Sequence, residues 1–116
     1  MKGGILKIST ALCASLMLMM SLPAAASVQA GKVTDVYVSS GTDGSAFQAS
    51  GTRTAKPACA TENLWSLENP SSDSGKALLA ALLTAYSSGR DIEIHGTGTC
   101  NSMIPTRENI SYIRMY

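Results

Sequence analysis

Residues 72–100, SDSGKALLAALLTAYSSGRDIEIHGTGTC, pass from a helix signal to a strand signal within two residues, and that step decides the fold class. Ser72, Asp73 or Ser74 can cap a helix that runs to about Ser88, with Gly89 as its stop. Leu78, Leu79, Leu82, Leu83 and Tyr86 recur at helical spacing and predict one apolar face. Ala77, Ala80, Ala81 and Ala85 add helix propensity and allow close approach. A polar face without a basic stripe argues against a membrane-active helix, so the apolar face is expected to pack on a small curved sheet. Directly after Gly89 and Arg90, Asp91 to His95 alternates as a short strand, with Ile92 and Ile94 on one side.

Working outward, Asn63 to Leu67 (NLWSL) reads as a short strand with Trp65 facing inward, and ENPSS (68–72) breaks the chain before the helix. Further upstream, Lys32 to Ser39 (KVTDVYVS) is rich in β-branched residues and predicts a strand. SGTDGS (40–45) is turn chemistry, Ala46 to Ser50 returns as a second arm, and Gly51 to Pro57 reads as an exposed loop. Downstream, Gly96 to Thr99 is expected to turn into Cys100, and 101–106 to be irregular. Glu108 to Tyr116 (ENISYIRMY) predicts a last strand whose faces are Ile110, Tyr112, Arg114, Tyr116 and Ser111, Ile113, Met115. Such a strand is a candidate sheet edge, open to pairing with another chain. The expected fold class is α+β: a small barrel-like or curved antiparallel sheet with one packed helix at about 73–88.

The N-terminus predicts export. Lys2 and Lys7 are the only charges in the first 31 residues and precede the apolar run ALCASLMLMMSL, Ala11 to Leu22. That run is too short to span a bilayer and is followed by Pro23 and small residues, the pattern of a cleaved leader. Ala24-Ala25-Ala26 places the cut before Ser27, with a cut after Ala30 as the alternative. The domain organisation is therefore a leader, 1–26, and a single exported domain, 27–116, secreted or periplasmic, with no membrane insertion after cleavage.

Of 9 basic and 8 acidic residues, the leader removes two basic ones, leaving a near-neutral domain with interspersed charges. Nucleic-acid binding by counterion release needs a clustered basic face, and none is visible. With Cys13 gone with the leader, Cys59 and Cys100 form an even pair, which in an exported chain reads as a disulfide. A metal site lacks ligands because His95 is the sole histidine, and no cofactor is expected.

Few residues suggest chemistry. His95 could act as a base beside Asp91 or Glu93, but nothing specifies a nucleophile, and no enzyme is expected. GTGT (96–99) precedes no helix and has no lysine at the offset a phosphate loop needs. Asn109-Ile110-Ser111 is a glycosylation sequon that matters only in a glycosylating host. Binding is better served: Tyr37, Trp65, Tyr86, Tyr112 and Tyr116 are rings with a polar handle. Core packing is expected to claim Trp65 and Tyr86, leaving Tyr112 and Tyr116, with Arg114 between them, as the candidate ligand-binding residues.

The order Cys59, Trp65, Leu78 to Tyr86, Gly89, Ile92 and Ile94 resembles the B subunits of subtilase cytotoxin and typhoid toxin. It is also similar to small exported bacterial proteins that share ALLTAYSSGRDIEIHGTGTC, 81–100 here. The resemblance spans roughly Cys59 to Cys100. It implies an oligonucleotide/oligosaccharide-binding (OB) fold with the helix laid across a five-stranded barrel, assembly as a homo-oligomeric ring, and binding of sialylated glycans. The toxins' sugar-binding segment does not align with SSGTDGSAF, so no glycan-binding residue is carried over. Two functions are in play: a toxin-B-like module for a glycan or protein receptor, and a stand-alone structural or inhibitory protein that binds a protein partner.

Overall fold

The structure, a computed structural model, describes residues 26–40 and 44–116. The leader reading up to residue 25 and the tip of the SGTDGS turn lie outside the described residues. The elements are β1 (Val28–Tyr37), β2 (Ala46–Ala49), β3 (Arg53–Thr54), β4 (Trp65–Ser66), α1 (Asp73–Ser88), β5 (Asp91–Cys100) and β6 (Glu108–Met115). They form a mixed α+β fold, one helix on a six-stranded sheet.

The strand order is β2-β4-β6-β5-β1-β3, and β2 also pairs with β1, so hydrogen bonds run in a ring through five strands with β3 appended to β1. All pairings are antiparallel except β4 with β6. A parallel neighbour cannot be reached by a tight hairpin. Here the chain travels from β4 to β6 by way of α1 and β5.

The expected helix is present. The Ser72 side chain accepts from the Gly75 N–H at 3.0 Å, and Gly89 closes the helix at φ 66°, ψ 25°, its N–H donating to the Ala85 carbonyl. Its core face differs from the expected one. Leu82 and Ala85 are fully buried and Leu78 and Leu79 pack against the core, whereas Leu83 and Tyr86 are exposed. The stripe turns toward Ala85 because a methyl permits the close approach to the sheet that a tyrosine ring would block. Trp65 is buried as expected, stacked with Phe47 at 6.4 Å among Leu67, Leu82, Ile92 and Ile94.

Three strands depart from the sequence reading. β1 begins at Val28, four residues before the expected start, and pairs Val28 to Lys32 with β5. Within the expected loop, Arg53 and Thr54 pair with Gln29 and Val28. GTGTC continues β5 instead of turning, and Gly96 pairs with Ile110 while Cys100 pairs with Glu108. Two residues of β5 therefore have no opposite number there, and Gly98 takes φ 83° in the bulge.

The Cys59–Cys100 disulfide is formed, with Cα atoms 6.3 Å apart across 41 residues. It fastens the long β3–β4 connection to the end of β5 and is worth about 4 kcal/mol in the chain-entropy model. Among the described residues no helix is long and apolar enough to cross a membrane.

Candidate ligand-binding surface

The β5–β6 ladder determines which side chains meet on its outer face. Glu93 lies opposite Arg114 and His95 opposite Tyr112, with Tyr116 following on the same side. Directly opposed residues share a face, so these five form one surface. The His95 and Tyr112 rings stack with centroids 4.3 Å apart and planes 10° from parallel. His95 Nε2 lies 2.6 Å from Glu93 Oε1, the Tyr116 hydroxyl donates to Glu93 Oε2 at 3.0 Å, and the Arg114 guanidinium sits 5.3 Å from the Tyr116 ring centre. The bond from His95, and then that from Tyr116, hold the Glu93 carboxyl below its ordinary range, and the same bond to Glu93 raises the Tyr116 hydroxyl. Tyr112 and Tyr116 are each 51% exposed despite these contacts. Both rings thus face solvent while their orientation is fixed.

A bulge creates this surface. Ile110 pairs with Gly96 and Tyr112 with His95, so Ser111 is an extra residue that reverses the alternation of β6. The expected grouping of Ile110 with Tyr112 is corrected accordingly: Ile110 is in the core and Tyr112 is outside. The edge reading of the last strand also changes. β6 lies between β4 and β5, but β4 reaches only Glu108 and Asn109. Beyond Asn109, β6 flanks a cleft of about 500 Å³ between itself and the first half of α1, lined by Leu78, Ala81, Ile110 and Ile113 among others.

The structure places Tyr112, Arg114 and Tyr116 on one face, beside Glu93 and His95, which the sequence suggested only as catalytic candidates. Asp91, the other suggested partner of His95, instead pairs with Lys32 at 2.8 Å. Asn109 of the sequon is buried and its amide donates to Glu68, so the folded chain does not present it.

A second cluster gathers around Glu108 of β6, with partners from β1, β3, β4 and β5 and from Ser27, and was not legible in the sequence. Arg53 Nη2 donates to Glu108 Oε1 at 2.7 Å, with side-chain exposures of only 7% and 0%. The Gly98 N–H donates to Oε2 at 2.9 Å, the Ser27 N–H to Oε2 at 3.3 Å, and the Ser27 hydroxyl to Oε1. Burial alone would raise the Glu108 carboxyl, but the bonds from Ser27, Arg53 and Gly98 outweigh it and hold it below its ordinary value. The guanidinium lies 3.8 Å from the Trp65 ring centre, which offsets the lack of hydrogen-bond partners at Arg53 Nε and Nη1. Trp65 Nε1 donates to Gln29 Oε1 at 2.8 Å, and Gln29 Nε2 reaches the carbonyls of Ala49, Ser50 and Gly51. Gly96 must be glycine, since a Cβ there would lie 2.0 Å from Glu108 Oε2 and 2.8 Å from the Trp65 ring.

No protein-family model, no curated protein and no solved structure matches this chain. Among the described residues no group of three or more His, Cys, Asp or Glu side chains is placed to hold a metal ion. The arrangement on the outer face can stack on a flat apolar ligand face while Glu93 accepts, and Arg114 and the Tyr112 hydroxyl donate, hydrogen bonds. Sugar rings and polar protein surfaces both offer that chemistry.

Proposed function

We propose that this protein is a non-enzymatic exported binding module that recognises a glycan through the outer face of β5 and β6. The observation that carries the reading is the exposed Tyr112 ring, held against His95 and flanked by Glu93, Arg114 and Tyr116. A surface oriented before the ligand arrives loses little side-chain freedom on binding. The disulfide supports export, because such bonds persist in oxidising compartments. The ring of pairings, with the helix inserted between β4 and β5, supports an OB-type reading of the fold and with it the toxin-B-like role.

Two measurements test this. Sialylated and neutral glycans are screened on an array with the oxidised domain, which is expected to bind a defined glycan class. Light scattering of the same sample is expected to give the mass of a ring of copies. A monomer that binds no glycan overturns the reading.

A second reading, a stand-alone structural or inhibitory protein, is favoured by the cleft between α1 and β6. Beyond Asn109 this side of β6 is unpaired by β4, so an extended segment of a protein partner could add there as a strand. A bulky change at Ala81, such as Ala81→Trp, would then abolish partner binding and leave glycan binding intact.

A further inference from the structure

We propose that hydrolysis of the Ala26–Ser27 bond leaves the new amino group of Ser27 as a buried ligand of Glu108, so that leader removal completes the core. This rests on the export reading of residues 1–26. In the reaction, water adds across the amide under a leader peptidase. Ala26 keeps the new carboxylate and departs, and the nitrogen that stays on Ser27 takes up a proton.

The geometry already holds that nitrogen in place. Ser27 is fully buried while Ala26 is exposed, so the cut falls where the chain emerges. The Ser27 nitrogen lies 3.3 Å from Glu108 Oε2, its hydroxyl bonds the other carboxylate oxygen, and its carbonyl accepts from the Gly96 N–H at 2.9 Å. Conversion of the amide to an ammonium turns a hydrogen bond in which only the acceptor is charged into one in which donor and acceptor carry opposite charges. The space vacated by Ala26 lets water reach the remaining N–H groups. The surrounding charges are accounted for: Arg53 on β3 shares the Glu108 carboxylate, Lys56 bonds Asn63, and His95 on β5 bonds Glu93.

The same contacts choose between the two cleavage positions. A cut after Ala30 would remove Ser27, the Gln29 amide that holds Trp65 Nε1, and both pairings of β1 with β3. A domain beginning at Gly31 would leave the Trp65 N–H and part of the Glu108 carboxylate buried without partners.

The test uses the whole domain in three forms: beginning at Ser27, beginning at Ser27 with an acetylated amino group, and beginning at Ala26. At pH 7 the Ser27 form is expected to have an unfolding equilibrium constant roughly tenfold lower than the other two, the size of a charged hydrogen bond. Glu108→Gln should remove the difference, and if that variant does not fold, the acetylated form carries the test alone. The advantage requires the amino group to be protonated, so it is expected to shrink as pH rises and that group loses its proton. Equal stabilities of the three forms overturn the ammonium pairing. Intact mass of the protein secreted from its own precursor should show Ser27 first; Gly31 first, or an uncut chain, overturns the maturation step. These outcomes read stability and mass alone, so they stand apart from success or failure of glycan binding.

Discussion

The two halves of the β5–β6 ladder use similar side chains for opposite ends. Near Cys100, Glu108 is sealed beneath Gly98 and Ser27, with Arg53 and Trp65 against it. Near the other end, Glu93 is bonded by His95 and Tyr116, with Arg114 and Tyr112 beside it, all in reach of solvent. Each half holds a carboxylate, a guanidinium and an aromatic ring. The bulge at Ser111 separates them, reversing which face of β6 looks inward. Burial turns the first set into part of the core, where each polar group needs its partner. Exposure leaves the second set oriented but available. Charge and ring content are therefore common to both sets, and access to solvent is what separates them.

This contrast can be broken most forcefully from the inside. Arg53→Ala leaves the Glu108 carboxylate buried without its cation and should destabilise the domain by about 3–5 kcal/mol in denaturant titration. Gly96→Ala, which drives a methyl into Glu108 and Trp65, is expected to destabilise by about 1–3 kcal/mol on the same assay. Acid acts on the same cluster. Because the folded pKa of Glu108 is depressed, its contribution is present above the ordinary carboxyl value of about 4.5 and lost as pH falls through the lower folded value. Thermal melts from pH 6 down to pH 3 should show that loss, and Glu108→Gln should flatten it. On the outside the pattern inverts. Tyr112→Ala gives up only a ring stack, about 1 kcal/mol or less of stability, while weakening glycan binding by roughly tenfold or more. Glu93→Gln sits at the bottom of the scale, within about 0.5 kcal/mol of wild type in stability.

The sequence made α1 legible because its caps and its leucine spacing are local signals, and Cys59 with Cys100 was readable from an even count. It marked Trp65 as interior for the same kind of reason, a large ring in a short apolar run. What it hid depends on register. Nothing near Ser111 announces a bulge, so Ile110 and Tyr112 looked like neighbours on one face. Arg53 and Glu108 are 55 residues apart, and each reads by itself as an ordinary surface charge. Tyr86 looked like core because its spacing fits, yet Ala85 takes the place against the sheet. The candidate surface was half legible: Tyr112, Arg114 and Tyr116 follow from alternation within β6, whereas Glu93 and His95 join them only once the β5 register is known.

One paired measurement addresses the binding role most directly: titration of the best array glycan into the wild-type domain and into Tyr112→Ala, each first checked for folding. The outer-face reading predicts saturable binding by the wild type and at least about a tenfold loss in the variant with its fold intact. No saturable binding by the wild type, or equal affinity in both, contradicts it.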